Sequence, residues 1–400
     1  MGATIQANRD AGKPSTGWFP VDGFGATPDG QTPATEAFAE AVAACASAGG
    51  GTVYVPPGEF LTGPIRLESN VTLYLEAGAT VRFSQNPDDF PIVFTRWAGF
   101  ECHAYSPCIF ADGAQNVALR GAGVLDGQGE GWWHEFRELK AGRRTSRTRD
   151  SELAEKNAGI GGVWDEWDSQ FLRPALVQFK DCTRVRIDGT THRNSPFWNT
   201  HILYCSDVVV TGATFENPYD APNADGLDID SSRDVRVENC LFDVGDDCLC
   251  LKSGMNEDGR RVGRVCENVV VSNCIMRHGH GGIVCGSDSA AGIRRLSVTN
   301  CIFTGTERGF RVKTNRQRGG FVEDVVVSNI IMQDVGCPLT VNDYYVCGVS
   351  ESDAQSVLSL EPQPVTEATP RLRNLRMTNV VARGAQFAGF VAGLPEAPVE

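Results

Sequence analysis

The stretch "VVVTG" at Val208–Gly212 alternates apolar and indifferent positions and then ends on a residue that tolerates left-handed backbone. A period of two buries one face of an extended strand, and a terminal Gly or Asn allows a tight turn. The same five-residue pattern recurs as "VALRG" at Val117, "VRIDG" at Val185, "VRVEN" at Val235, "VVVSN" at Val269, "LSVTN" at Leu296, "VVVSN" at Val325 and "LRMTN" at Leu375. Successive terminal residues lie 23, 27, 34, 27 and 29 apart from Gly189 to Asn329. Units of this length hold one coil of a solenoid with loops of variable size, whereas propeller blades need roughly 40 residues or more. The repeat predicts an all-β chain, a single-domain right-handed parallel β-helix spanning residues 1–400.

Composition agrees with strands and turns: 44 Gly, 8% aromatic residues and many short Val/Ile runs. A formal net charge of −14 argues against nucleic acid or an anionic membrane as partner, since both need a broad basic field. No apolar run approaches the roughly 18 residues of a membrane span, and "MGATIQANRDAGKPSTGWFP" lacks the apolar stretch of a signal peptide. A cytoplasmic location is expected, or a secreted or periplasmic one if a leader has been removed. The 14 cysteines include no CxxC or Cys/His cluster with zinc spacing, so no metal is expected. Cys240, Cys274 and Cys301 each follow a turn Asn, which predicts a repeated, reduced, buried position.

An exposed solenoid end needs a cover. The N-terminal cover, about 15–52, contains "TPATEAFAEAVAACASAGGG", read as a helix with Thr32 as N-cap, Pro33 at its first position, Phe38, Ala41, Val42 and Cys45 on one face, and Gly49–Gly51 as stop. The C-terminal "VAGLPEAPVE" offers no comparable cover, which suggests missing coils. A charged, Trp-containing insertion at about 130–174 is far longer than neighbouring turns and is expected to carry function.

Residues one coil apart become neighbours roughly 4.8 Å apart. His201 to Asp225 is 24 residues and Asp225 to Asp246 is 21, so the three can share a face. Asp247 joins them if the chain bends at Gly245. Clustered carboxylates repel, so one retains a proton as a general acid while another stays ionised as base, which is the equipment of glycoside hydrolysis. His280 in "RHGHGG" and the alternating Arg311 and Lys313 in "RGFRVKT" extend the same face, with the cations suited to a substrate carboxylate. Asp228, Asp230 and Asp234 read more simply as turn caps.

The ordered blocks "NAD" (Asn223–Asp225), "GDD" (Gly245–Asp247), "GHG" (Gly279–Gly281) and "RVK" (Arg311–Lys313), with "GVLDGQGEGWW" before them, resemble glycoside hydrolase family 28, the polygalacturonase family. The resemblance implies an inverting hydrolase of α-1,4-galacturonan, an anionic oligo- or polysaccharide, that requires no cofactor. It implies Asp246 as general acid, Asp225 with Asp247 holding and activating water, His280 beside the acid, and Arg311 and Lys313 on the galacturonate carboxylate. Ala224 departs from the Thr usual in that block. Trp198, His201, Asn223 and Tyr344 or Tyr345 are candidate substrate contacts. If the 130–174 insertion walls one end of the groove, exo action follows. Rival readings are a rhamnogalacturonan hydrolase, a calcium-dependent β-helix lyase and a non-catalytic pectin-binding module.

Overall fold

The computed structural model describes residues 17–143, 148–160 and 172–400. Two large parallel sheets carry nearly all the strands. One has ten strands in strict sequence order, from Ile65–Arg66 through Ile109–Asp112, Val177–Lys180, Thr200–Leu203, Leu227–Asp230, Asp247–Lys252, Gly281–Gly286, Arg308–Lys313 and Cys337–Asn342 to Phe390–Ala392. The other has nineteen strands and contains the repeat. Each coil pairs with the next in parallel, as the right-handed β-helix reading requires.

The register reproduces the repeat residue for residue: Val185, Val208, Val235, Val269, Leu296 and Val325 pair in succession. All six are buried, each worth roughly 1.5–3 kcal/mol of apolar burial. Phe215 and Phe242 continue the stack one strand on, with centroids 4.7 Å apart. The terminal Gly and Asn residues adopt positive φ at every repeat, from Gly189 (80°) and Gly212 (62°) to Asn329 (56°). They mark a corner rather than a strand end, because Ile293–Thr304 and Phe321–Gln333 run through Asn300 and Asn329 without a break. Cys240, Cys274 and Cys301 are buried just beyond that corner, and all 14 cysteines are free thiols, Cys347 alone being exposed.

The cover helix spans Thr35–Ser47 and buries Phe38, Ala41, Val42 and Cys45 as the pattern requires. Its start corrects the sequence reading. Thr32 and Pro33 lie in the strand Asp29–Pro33, and Ala34 occupies the N-cap without a side-chain bond. The physical reason is local: the Asp29 carboxylate accepts from the Thr32 N–H (2.8 Å) and hydroxyl (2.7 Å), so the Thr32 side chain is already committed to a turn.

One element outside the solenoid matters most for the site. Ile92–Trp97 and Phe100–Tyr105 form an antiparallel hairpin between coils. Arg96 fastens it to the ten-stranded sheet, donating to Asp230 Oδ1 at 2.6 Å and Ser231 Oγ at 2.8 Å, with both ion-pair side chains fully buried. Asn157, from the insertion helix Thr148–Lys156 region, grips it from outside through the His103 N–H (2.8 Å) and C=O (2.9 Å).

Candidate active site

The four sequence blocks converge on one pocket of about 290 Å³ over the middle of the ten-stranded sheet, lined among others by Asn223, Asp225, Asp246, Lys252, His280 and Lys313. Gly245 makes the predicted bend possible: a Cβ there would lie 2.4 Å from the Tyr219 carbonyl oxygen, so only glycine fits. Asp246 consequently faces the pocket while Asp247, the first residue of its strand, reaches Lys313 Nζ at 2.6 Å and Arg311 Nη1 at 3.8 Å.

Asp225 is held from behind. Asn217 Nδ2 donates to the Ala224 carbonyl (2.9 Å), and the Ala224 methyl packs against Trp133 and Ala221. Trp133, on the insertion helix Glu130–Lys140, donates its indole N–H to the Ser195 carbonyl at 3.0 Å. Trp132 and Trp133 are therefore core anchors; Trp164 and Trp167 lie outside the described residues. Asn223, at φ 55°, accepts from Arg173 Nη2 (2.8 Å), and Arg173 also donates to the Pro196 and Pro222 carbonyls. Arg173 was not legible in the sequence. Burial pulls its guanidinium down to about 9.

The carboxylates differ sharply in their hold on a proton. Burial, then the neighbouring Asp246 and Asp228 charges, push Asp225 well above the carboxylate range, against the pull of Lys252. Asp228 is raised to about 8, chiefly by burial. Burial also pushes Asp246 up, but its hydrogen bond with His280 Nδ1 (3.1 Å) and the Lys313 charge outweigh this and hold it at about 2. The same bond raises His280. The proton of the Asp246–His280 pair thus rests on the imidazole.

Several sequence-predicted contacts move. Trp198 and Tyr345 line the pocket. Tyr344 does not: its hydroxyl donates to the Gly393 carbonyl, and Arg316 lies over its ring. His201 also stands outside, buried behind Trp198 and bonded to Gln178 (2.9 Å) and Asp230 (3.3 Å). The alternation of the strand points it outward, and the hairpin then covers it. Asp228 and Asp230 are buried ion-pair partners rather than turn caps, while Asp234 is exposed and bonds Asn268 across coils. Arg311 does not line the pocket; its guanidinium lies 3.8 Å from Asp247 Oδ1 and 5.4 Å from the ring centre of Tyr345, which does. Of the basic residues that follow the catalytic blocks in sequence, Lys252 lines the pocket, whereas Arg260, Arg261, Arg264, Arg316 and Arg318 are engaged elsewhere. Arg143 pairs with Glu138 and Arg149 with Glu152, while Arg144 and Arg147 lie outside the described residues.

The wall comes from the hairpin. Trp97 and Phe100 close the pocket together with Phe197 and Trp198, and Trp97 stacks on Phe197 at 4.5 Å. The sequence signal was the unusually long run between Phe83 and Ile109, which lacks the repeat.

Among the described residues one group has metal-binding geometry, Asp225, Asp247 and Cys250, whose ligand atoms lie within 4.8 Å of one another. Lys313 at 2.6 Å from Asp247 and Lys252 at 3.8 Å from Asp225 already supply cationic partners there, so the donor set fits a metal poorly.

A parallel β-helix with a proton-holding carboxylate–imidazole pair, two further carboxylates and buried ammonium groups around one pocket defines a glycosidase-type site. Residues 158–361 match the glycosyl hydrolases family 28, and residues 18–85 match a rhamnogalacturonase A/epimerase, pectate lyase-like segment. The chain belongs to glycosyl hydrolases family 28. It is 28% identical over 385 residues to a probable polygalacturonase of Vitis vinifera, covering 94% of this chain and 70% of that one. It is 29% identical to an exo-poly-alpha-D-galacturonosidase of Dickeya chrysanthemi over 78% of this chain and 54% of that one, so it spans about half of that relative. The crystal structure of a hyperthermoactive exopolygalacturonase from Thermotoga maritima superposes with a TM-score of 0.82 at 30% identity, covering 95% of this chain and 84% of that one.

Proposed function

We propose that this chain hydrolyses α-1,4-galacturonosyl linkages from a chain end, with inversion. The observation that carries the reading is the pocket itself: Asp225, Asp246 and Lys313 line a small space closed by Trp97, Phe100, Phe197 and Trp198. A site at the lower bound of ordinary ligand pockets suits a terminus better than a passing polymer.

The His280 imidazolium, bonded to Asp246 at 3.1 Å, passes its proton to the Asp246 carboxylate as Asp246 protonates the glycosidic oxygen, so the one proton held by the pair reaches the leaving group. Asp225 and Asp247, with oxygens within 4.8 Å of each other, flank the attacking water and accept its proton. Lys313 Nζ pairs with Asp247 at 2.6 Å, and Arg311 offers a planar fork to the substrate carboxylate. The Vitis, Dickeya and Thermotoga relatives named above support galacturonan as substrate. Fourteen free thiols are consistent with a reducing, cytoplasmic setting. Among the described residues no helix is long and apolar enough to cross a membrane.

Polygalacturonate incubated with the protein should gain reducing ends without the ultraviolet absorbance of an unsaturated lyase product. Asp246→Asn should abolish this. Retained pectin binding with no turnover by the unmodified chain would make it a binding module, and cleavage of the alternating rhamnogalacturonan polymer instead would reassign the substrate.

A further inference from the structure

Lys252 ends the strand that Asp247 begins, and unlike Arg260, Arg261 and Arg264 that follow it, it lines the pocket. Its ammonium is almost completely buried and lies 3.8 Å from Asp225 Oδ2, 3.4 Å from Asp228 Oδ1 and 3.9 Å from Asp288 Oδ2. Those partners come from three separate segments: the loop before Leu227–Asp230, that strand itself, and the loop after Gly281–Gly286. The Trp198 ring lies 4.4 Å away, so the charge is backed by an aromatic face. A lysine is buried this deeply only when paired, and here it lines the reaction pocket.

We propose that Lys252 is a positioning residue for the hydrolysis: clamped by Asp228 and Asp288, its ammonium fixes the Asp225 carboxylate and favours its ionised form for water activation. The assignment rests on the reading of Asp225 as a base given above. The electrostatic need is plain from the neighbours. Asp225 faces the charges of Asp246, Asp228 and Asp247, all of which oppose its ionisation, and Lys252 is the cation that opposes them. Around Lys252 itself stand Asp228, Asp288, Asp225 and the Cys250 thiol, while burial lowers the proton affinity of His201 behind it. Lys313 serves the other side of the site, 2.6 Å from Asp247. The two ammonium groups therefore divide the two water-side carboxylates between them.

The test is the proton affinity of Asp225, read without turnover. Carboxyl-carbon NMR of aspartate-labelled protein, with the Asp225 signal assigned through Asp225→Asn, gives its midpoint. Removing an opposite charge at this range raises a carboxyl by about one to three units. In Lys252→Met the Asp225 midpoint should rise by that amount, and the acidic limb of kcat/KM on trigalacturonate should rise with it at unchanged KM. Lys252→Arg should restore both. Lys252→Gln, which retains polar contacts, gives the same reading if the Met variant does not melt cooperatively. An unmoved midpoint would overturn the assignment, as would a raised KM with an unmoved limb, which would make Lys252 a ligand of the sugar carboxylate. A wild-type chain inert on galacturonides, with a midpoint that still responds, would sink the proposed function while leaving the coupling of Lys252 to Asp225 standing.

Discussion

Arg96→Met should loosen the wall of the pocket by a calculable amount. Arg96 and Asp230 form an ion pair at 2.6 Å with no solvent exposure on either side chain. Burial pushes Asp230 up, but the Arg96 charge and the His201 and Ser231 hydrogen bonds outweigh it and hold the carboxyl at about 2. Relative to 3.8 this is roughly two units, or about 2–3 kcal/mol of proton-linked stability. The sign follows from the depressed native value: the contribution is complete above 3.8 and is lost as pH falls through about 2. Deleting one partner of a buried pair costs about 3–5 kcal/mol, because the remaining charge is stranded. Urea denaturation of wild type and Arg96→Met at pH 7 should therefore differ by about 3–5 kcal/mol, and the difference should narrow as pH falls below about 4. Replacing both partners with apolar residues should recover most of the loss. Because Arg96 is next to Trp97, the single variant should also release longer products from polymer. A loss under about 1 kcal/mol, typical of an exposed pair, or one independent of pH, would refute the claim that this pair anchors the hairpin.

The pH–rate profile should be a bell. Its acidic limb lies above the ordinary aspartate value, because Asp225 must lose a proton that burial and its neighbours help it keep, and its basic limb lies above 6.5, where the raised His280 deprotonates. Asp343 is buried, and burial, opposed only in part by the Leu394 backbone N–H, raises it to about 7. Its raised native value costs stability once pH exceeds 3.8, so Asp343→Asn should stabilise the chain at pH 8 by up to about 4 kcal/mol and not at pH 4, as read from melting curves. Trp133→Ala removes the indole that supports Ala224 and should cost about 3–5 kcal/mol, with a loss of kcat larger than global unfolding explains, measurable by comparing activity with folded fraction.

How far the sequence reached is clearest at particular residues. The repeat made the coil legible because inward positions such as Val235 and Val269 must be apolar in every turn, and because Asn239 and Asn273 must tolerate left-handed φ. The blocks around Asp225, Asp246, Asp247, His280, Arg311 and Lys313 were legible by their likeness to one family, and the structure brings them together. What alternation alone cannot show is which outward residue is later covered. His201 and Asp230 share the outward face with Lys252, yet only the hairpin's Arg96 decides that the first two are sealed into an ion-pair network. The hairpin was missed because its residues pair with each other rather than with a coil. The wall expected from the 130–174 insertion falls partly on 161–171, outside the described residues; its described part buttresses Asp225 through Trp133 and grips the hairpin through Asn157. Thr32 shows the limit of capping rules: a better acceptor three residues earlier had already taken its hydroxyl.

The most direct measurement is a time course on reducing-end-labelled trigalacturonate and on polygalacturonate, with products resolved by size and Asp246→Asn as control. The account predicts monomer from the earliest time point with both substrates and none from the variant. A ladder of intermediate lengths from the polymer would contradict the closed pocket, and intact substrate in the presence of fully folded protein would contradict the catalytic reading of Asp225, Asp246 and Asp247.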